Sequence, residues 1–176
     1  MLFSLEDFYP QTPAFLEVVS LYQVVWGGNS EPMNSSIQFF LRQAAYPEWR
    51  GILARDTTGT VLGFALGSRA EAGQWWFEHL LGRVQLEQTW CLVELAVLGS
   101  ARRKGVAQAL HDALLKTVVQ PKVALSTQIN NTAALEFYRK NGYTTLLESV
   151  VFTAGLTPYT ILGKDLVFEA RLEKYK

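Results

Sequence analysis

Apolar residues recur along this chain with two different periods, and each period predicts a different kind of element. Four segments repeat apolar positions every three or four residues, as amphipathic helices do: TPAFLEVVSLYQVVWGG, NSSIQFFLRQAA, RKGVAQALHDALLKTVV and TAALEFYRKNG. In the first, Thr12 is expected to cap the helix and Gly27–Gly28 to end it. The third carries one apolar stripe, formed by Val106, Leu110, Ala113, Leu114 and Thr117.

Shorter β-rich runs predict the strands of a sheet. Two of them flank Asp56 and Gly59 in RGILARDTTGTVLGFALGSR, which predicts a hairpin. The run TWCLVELAVL is apolar on both faces, as expected of a central strand that is covered on both sides. KVALSTQI and YTTLLES follow as strands, and YTILGKDLVF is predicted to be an edge strand. QWWFEHLLGRVQLEQ is less regular, although Trp76, Leu80 and Leu81 keep helical spacing.

The order of these elements predicts one α/β domain over residues 1–176. TWCLVELAVL, the helix after it and KVALSTQI form a strand–helix–strand unit, which favours parallel pairing through a right-handed crossover. The hairpins on either side make the sheet mixed. No internal repeat or low-complexity linker divides the chain.

Composition removes several functional classes. Of 176 residues, 49% are apolar and 18% are charged, a balance typical of a soluble globular protein. Sixteen Lys+Arg against sixteen Asp+Glu give zero formal net charge, so long-range electrostatics recruits neither nucleic acid nor a membrane surface. The single Cys91 excludes an intramolecular disulfide, and with His79 and His111 as the two histidines we expect no metal site.

The N-terminal segment also bears on location. MLFSLEDFYP lacks the basic start of a secretory signal, and no apolar run is long enough to span a bilayer. We therefore expect a cytoplasmic protein.

The segment GSARRKGVAQAL, residues 99–110, joins the buried strand to the third helix. The first amides of a helix lack intrahelical acceptors, and the helix dipole adds partial positive charge there. Gly105 would weaken a helix interior, but in the first turn it lets an anion approach bare backbone, and Ala107 extends that clearance. The residues alone leave two interpretations open: a solvated basic helix start, or an anion site built from the amides at 103–108.

Arg102-Arg103-Lys104-Gly105-Val106-Ala107 resembles the coenzyme-A signature of the GNAT superfamily of N-acetyltransferases, Gln/Arg-x-x-Gly-x-Gly/Ala. A second match lies in NNTAALEFYRKNGY, which follows the family's Asn-x-x-Ala-x-x-x-Tyr-x-Lys-x-Gly-aromatic segment. The matching positions there are Asn131, Ala134, Tyr138, Lys140, Gly142 and Tyr143. The resemblance is best over residues 90–148, the expected coenzyme-binding core, and residues 1–67 carry no motif.

The resemblance implies a particular fold and co-substrate. The fold is α/β, with a mixed, mostly antiparallel central sheet, helices on both faces and one parallel strand pair that splays apart. Acetyl-CoA would place its pyrophosphate on the turn, against the amides from Arg103 to Gln108. Its pantetheine arm would run along Leu95, Ala96 and Val97 like an added strand, pairing with main-chain groups of the first and last of these. A backbone N–H near Val97 would stabilise the oxyanion as an amine attacks the thioester directly in a ternary complex.

Two residues are candidates for the chemistry. Tyr138 stands where a tyrosine of the family often protonates the departing thiolate, although its spacing from Ala134 and Phe137 also suits a buried helix face. Glu94 interrupts an otherwise buried strand, where desolvation would raise its pKa and suit a general base. The alternative for Glu94 is a carboxylate that binds the substrate ammonium or braces the strand.

The remaining candidates each have a structural alternative. Asn131 is placed to cap a helix, and the resemblance adds a hydrogen bond to the coenzyme arm. His79 is either an alternative base or a partly exposed helical residue, and His111 is assigned no role. Cys91 is expected to be a small buried residue rather than a nucleophile. Three tryptophans have two possible roles: they line an acceptor cleft, or they pack in a core or dimer interface. These are Trp26, Trp75 and Trp76.

The sequence therefore predicts an acetyl-CoA-dependent N-acetyltransferase with a primary amine as acceptor and a homodimer as one arrangement. The acceptor is left open between a small metabolite, an antibiotic amine, and a protein terminus or lysine. One alternative is a non-catalytic acyl-CoA-binding or sensor domain, which needs the turn but neither Glu94 nor Tyr138 for chemistry. Another is a structural dimer module that uses the tryptophan-rich segment, which leaves the turn unexplained.

Overall fold

The computed structural model describes residues 2–27 and 32–166. Its strands are β1 (Phe3–Asp7), β2 (Arg50–Asp56), β3 (Val61–Arg69), β4 (Thr89–Val97), β5 (Lys122–Gln128), β6 (Thr144–Val150) and β7 (Tyr159–Asp165). Its helices are α1 (Ala14–Tyr22), α2 (Met33–Ala44), α3 (Trp75–Leu80), α4 (Val106–Leu115) and α5 (Thr132–Lys140). A π-helical turn, Gln23–Gly27, continues α1, and a 3₁₀ turn, Gly99–Ala101, follows β4.

The chain folds into two compact units. Unit 1 comprises Met1–Ser68 and Leu92–Val118, and unit 2 comprises Arg69–Cys91 and Val119–Lys176. The strand β4 begins in unit 2 and continues into unit 1. In unit 1 the core packs α1 and α2 against β2 and β3, with Phe40 and Phe64 fully buried. In unit 2, Leu80 and Ile161 form part of a second buried cluster.

Hydrogen bonds between strands give the order β1-β2-β3-β4-β5-β7-β6. Described neighbours pair antiparallel except β4 and β5, which are parallel as the strand–helix–strand unit predicts. Within the described residues, the parallel register comprises Thr89↔Lys122, Trp90↔Val123 and Cys91↔Ala124. The predicted class, an α/β fold with a mixed, mostly antiparallel sheet, is confirmed.

The last strand is not an edge strand, so that prediction is wrong. β7 pairs with β5 from Gln128↔Tyr159 to Lys122↔Asp165, and its other edge pairs with β6. Ile161 and Leu162 are fully buried, because a strand between two neighbours is covered more completely than one at the edge. The edge position belongs to β6, whose side chains are mostly exposed. Residues 167 and 168 of the predicted strand lie outside the described residues.

The strand β1 is an element that the sequence pattern did not predict. It pairs with β2 from Phe3↔Asp56 to Asp7↔Ile52, and four of its five residues are exposed, so it lacks the apolar alternation of a half-buried strand. Ion pairs add to this backbone pairing. Arg55 on β2 donates to Glu6 of β1 at 2.9 Å and to Glu17 of α1 at 2.7 Å, and these hydrogen bonds raise the pKa of Arg55.

The predicted β2–β3 hairpin is confirmed, with Asp56 as the organiser of its turn. The Asp56 carboxylate accepts hydrogen bonds from the Thr58 hydroxyl at 2.7 Å and from the amides of Thr58 and Thr60 at 2.9 Å. These bonds, led by the one from the hydroxyl, lower the pKa of Asp56. Gly59 supplies the positive φ of 91° that closes the turn.

The start of α1 differs from the prediction. Thr12 does not cap the helix, because its hydroxyl donates to the Tyr9 carbonyl at 2.8 Å and accepts from the Tyr9 amide at 3.2 Å. The side chain therefore closes the preceding turn, and Pro13 takes the cap position. The α-helix ends at Tyr22 and passes into the π-helical turn, which includes Gly27, while Gly28 lies outside the described residues.

The less regular segment forms α3, in agreement with the helical spacing of Trp76 and Leu80. Leu81 is exposed and follows the last helical residue. Among the residues described, no helix has both the length and the apolar character to cross a membrane.

Gly63 of β3 is expected to be intolerant of a side chain. An added Cβ would lie 2.7 Å from the Ala96 carbonyl oxygen and 3.0 Å from a Val97 methyl, both on β4. Because backbone on that side cannot give way easily, we expect Gly63→Ala to lower the free energy of unfolding by about 1–3 kcal/mol in urea titration. Gly99→Ala is the control, since its added Cβ meets no described atom within 4 Å and should change stability by less than about 0.5 kcal/mol. Equal stability of the two variants would contradict this account.

Candidate active site

The turn between β4 and α4 has the backbone of an anion site. Gly105 is the cap residue of α4 with a φ of 82°, and Arg103 also has a positive φ, of 58°. The first helical hydrogen bond runs from the Ala109 amide to the Gly105 carbonyl at 3.0 Å, so the amides of residues 106–108 precede it. In the first turn of a helix such amides point out of the helix end, where the dipole is positive. The left-handed Gly105 therefore starts the helix with its amide-rich end clear of side-chain bulk.

Basic side chains form hydrogen bonds that stabilise this turn, and they also give it positive charge. Arg102 donates through Nε to the Val97 carbonyl at 3.3 Å, and Lys104 donates through Nζ to the Ser100 carbonyl at 2.7 Å. Both side chains are exposed, as is Arg103. Two of these side chains therefore fix the carbonyl of Val97, at the end of β4, and that of Ser100 in the turn.

The far end of α4 is held by a residue that the sequence analysis missed. Arg50 of β2 donates to the carbonyls of Ala113 and Leu114 at 2.9 and 3.3 Å, and also to the Thr117 hydroxyl. A cation at a helix C-terminus satisfies carbonyls that lack helical donors and stabilises the dipole. Since 63 residues separate Arg50 from Ala113, no local spacing could have indicated this contact.

The helix face between these two ends matches the predicted stripe in part. Val106, Leu110 and Leu114 are buried, whereas Thr117 lies beyond the end of α4. His111, to which we gave no role, is also buried and its Nδ1 lies 2.9 Å from the Asp112 carboxylate. The apolar face thus anchors α4 and leaves its first turn at the surface.

Glu94 lies in the middle of β4 and is half-buried. Burial raises the pKa of its carboxyl group to about 8, and a hydrogen bond from the Trp26 indole opposes part of that rise. Trp26 belongs to the π-helical turn after α1, and 52% of it is exposed. The sequence predicted a raised pKa at Glu94 but not its partner, because the contact depends on how the π-helical turn directs Trp26.

The backbone of β4 beyond Glu94 is oriented by its pairing with β3. The Leu98 amide donates to the Leu62 carbonyl at 2.9 Å, so the amide of Leu98 faces β3. Because successive amides of a strand point to opposite edges, those of Leu95 and Val97 point away from β3. These are the two residues whose main-chain groups the sequence analysis assigned to the pantetheine arm.

Unit 2 contains the second group of candidates. Asn131 caps α5, and its side-chain oxygen accepts from the Ala134 amide at 3.2 Å, which confirms the predicted cap. Tyr138 lies on the buried face of α5 and is 6% exposed, with its ring 5.3 Å from that of Tyr143. The packing half of the prediction for Tyr138 is therefore confirmed.

The other candidate residues from the sequence adopt the structural roles that were their alternatives to a functional one. His79 is an exposed residue of α3 whose Nδ1 lies 2.7 Å from the Trp75 carbonyl. Trp76 is half-buried and donates to the Ser126 hydroxyl at 3.2 Å, whereas Trp75 is 55% exposed. Cys91 is buried, and burial raises the pKa of its thiol to about 12, which opposes a nucleophilic role.

Fold and turn together define an α/β protein with an amide-lined helix start directly after a central strand. The sequence model of the acetyltransferase (GNAT) family matches residues 15–143. The match covers more than half of the chain, which therefore belongs to this family of acyltransferases that use acyl-CoA donors.

One curated relative and several solved structures agree with this family. A GCN5-like protein acetyltransferase of Mycobacterium tuberculosis is 28% identical over 128 residues, which are 64% of this chain and 62% of that relative. The chain thus matches less than two thirds of the relative's length.

Solved structures show the same fold. A phosphinothricin acetyltransferase from Sinorhizobium meliloti, in complex with AcCoA, superposes with a TM-score of 0.68 at 16% identity, over 96% of this chain and 90% of that one. A GCN5-related N-acetyltransferase from Kribbella flavida gives a TM-score of 0.70 at 15% identity, over 93% and 98% of the two chains. At these identities the likeness concerns the fold alone.

Proposed function

We propose that this chain transfers the acetyl group of acetyl-CoA to a primary amine by direct attack in a ternary complex. The observation that carries the proposal is Glu94, a half-buried carboxyl group with a raised pKa on the strand that leads into the amide-lined turn. A carboxyl group that titrates near neutral pH suits a general base, and the turn suits the pyrophosphate of a coenzyme. Cytoplasmic location, homodimerisation and the single-domain organisation stay predictions of the sequence.

The coenzyme is assigned to backbone groups and small residues. Amides from Arg103 to Gln108 bind its pyrophosphate, with Gly105, Val106 and Ala107 giving close access, and Arg102 and Lys104 hold the turn in shape. The amides of Leu95 and Val97, which point away from β3, pair with the pantetheine arm along Ala96. On unit 2, Asn131 and Ala134 at the start of α5 complete the assigned set.

The chemistry is a balanced acyl transfer. The Glu94 carboxylate takes a proton from the substrate ammonium, and the freed nitrogen lone pair attacks the thioester carbon. A C–N bond forms and the C–S bond breaks, while the Val97 amide stabilises the oxyanion in between. The coenzyme leaves as a thiolate, which receives the phenolic proton of Tyr138, and the tyrosinate is restored by the second proton that the attacking nitrogen loses as the amide forms.

Acetyl-CoA should stabilise the full chain against heat. A ligand at one hundred times its dissociation constant adds about 2.7 kcal/mol to the free energy of unfolding, which raises Tm by several degrees. ADP and adenosine at the same concentration should give a smaller shift, since they lack the pantetheine arm that pairs with β4. Absence of any shift with acetyl-CoA would overturn the proposal. A shift without thiol release in an amine screen would favour the non-catalytic sensor.

The pH dependence of turnover should report Glu94. Because the base acts as a carboxylate and burial raises its pKa to about 8, kcat/KM should rise with pH up to about 8 and level off above it. Glu94→Gln should lower kcat/KM by about a hundredfold or more and abolish this inflection. Trp26→Phe removes a hydrogen bond to the carboxylate, so the inflection should move to higher pH.

The pH dependence of the free energy of unfolding gives a second measurement on Glu94. The folded chain holds the Glu94 proton more tightly than the unfolded chain, so its contribution to the free energy of unfolding is lost as pH rises from about 4.5 to 8. Glu94→Gln should remove that decline. Glu136→Gln, at an exposed position of α5, is the matched control and should leave both profiles unchanged. An unchanged inflection in Glu94→Gln would exclude Glu94 as the base.

Tyr138→Phe should separate proton donation from packing. The substitution keeps the buried ring and removes the hydroxyl, so kcat should fall by about tenfold to a hundredfold while the affinity for acetyl-CoA stays within about twofold. Tyr143→Phe, which alters the ring 5.3 Å away, is the control and should leave kcat near that of the parent chain. If kcat is retained in Tyr138→Phe, the residue serves packing alone.

A further inference from the structure

Four aromatic rings form a cluster at the surface of unit 2, which we call the aromatic platform: Trp75, His79, Phe152 and Tyr159. Trp75 lies 4.3 Å from His79 and 5.0 Å from Phe152, and Phe152 lies 5.3 Å from Tyr159, measured between ring centroids. Trp75 is 55% exposed. A large exposed ring surface in contact with other rings is a feature of binding sites more than of ordinary surfaces.

The aromatic platform rests on a rigid base. On α3, Leu80 is fully buried against Ile161 of β7, and the Trp76 indole donates to the Ser126 hydroxyl of β5 at 3.2 Å. The His79 Nδ1 lies 2.7 Å from the Trp75 carbonyl one turn earlier, which ties its ring to the helix. Packed elements therefore hold Trp75 and His79 exposed at the surface, beside the half-buried Phe152 and Tyr159.

The charge around the aromatic platform suits a cation. No lysine or arginine occurs in α3 or in the segment from 149 to 158 that carries Phe152. Glu78 of α3 is acidic, and its carboxylate accepts a hydrogen bond from the Gly73 amide at 2.7 Å. The faces of aromatic rings carry the negative part of their quadrupole and attract ammonium groups within about 6 Å.

The position of the aromatic platform within unit 2 relates it to the proposed reaction. Tyr159 pairs in register with Gln128, the last residue of β5, and the Ile129 amide donates to the Pro158 carbonyl at 3.0 Å. The Asn131 amide in turn donates to the Gln128 carbonyl at 3.0 Å. Tyr159 of the aromatic platform and Asn131, to which we assigned a contact with the coenzyme arm, therefore both lie beside the end of β5.

We propose that the aromatic platform binds an alkylammonium group of the acceptor through the faces of Trp75, Phe152 and Tyr159. The rings and the local charge support the binding of an ammonium group. That this ammonium group belongs to the acceptor rests on the proposed function. The platform then narrows the acceptors to amines that are cationic at neutral pH. It disfavours anionic or zwitterionic compounds whose carboxylate would lie beside Glu78.

Binding of a simple cation to the full chain tests this assignment. Choline serves as the probe and 3,3-dimethylbutan-1-ol as its neutral isostere, each titrated by ligand-observed NMR. Because an exposed cation–π contact is modest, we expect choline to bind about two- to fivefold more tightly than the alcohol. Trp75→Leu should remove that preference, whereas Tyr9→Leu, at an aromatic residue of similar exposure in unit 1, should retain it. Phe152→Leu is a second variant in case Trp75→Leu disturbs folding.

The outcomes are distinct. Equal binding of choline and the alcohol would overturn the proposal, because the platform would then be a plain apolar surface. Absence of choline binding, or full retention of the preference in both Trp75→Leu and Phe152→Leu, would overturn it too. Neither titration needs coenzyme or turnover. Choline binding without stabilisation by acetyl-CoA would therefore reject the proposed function and keep the platform, and the reverse result would reject the platform alone.

Discussion

The backbone of β4 imposes the constraint on which the rest of the site depends. A strand has two edges of amides and carbonyls, and buried polar groups need partners on both. β3 satisfies one edge as far as Leu98, while the described register with β5 reaches Cys91. The amides of Leu95 and Val97 point away from β3, and an extended ligand arm can pair with them as another strand would. In the proposed function, binding of the coenzyme arm is thus a property of strand pairing more than of any side chain.

The same strand explains how the proposed base acquires its raised pKa. Desolvation at Glu94 favours the neutral form, whereas the Trp26 indole hydrogen bond favours the carboxylate, and the balance leaves a pKa of about 8. Neither burial alone nor the hydrogen bond alone would give a pKa as well suited to a general base. With burial alone the carboxyl group would hold its proton to still higher pH, and with full exposure it would be too weak a base to accept a proton from an ammonium group. The π-helical turn matters because it directs a half-exposed tryptophan onto this carboxyl group.

The sequence predicted those elements that are stabilised by residues close to one another along the chain. The β2–β3 turn depends on Asp56 and Gly59, the cap of α5 on Asn131, and the burial of β4 on its own apolar run, so each could be recognised from neighbouring residues. Contacts that join distant segments could not. Arg50 reaches α4 across 63 residues, and β1 depends on its pairing with β2 and on Arg55, so neither left a periodic signal.

The errors at β7 and Thr12 have different origins. Whether a strand lies at the edge of a sheet depends on which other strands pair with it. β7 pairs with β5 on one side and with β6 on the other, so it is not at the edge. Thr12 had two backbone groups within reach and bonded to Tyr9 instead of the helix start. Side chains that bond locally in more than one way are the ones for which sequence leaves the choice open.

The two ends of α4 explain why the anion turn can depend on backbone alone. At one end Gly105 adopts the left-handed conformation that starts the helix, and at the other Arg50 satisfies the carbonyls of Ala113 and Leu114. A helix fixed at both ends presents its first amides in one geometry, so the anion site does not need flexible cations to complete it. Arg102 and Lys104 are then available to hold the carbonyls of Val97 and Ser100, and they stabilise the shape of the turn while adding positive charge to it. Charge and geometry therefore come from the same residues.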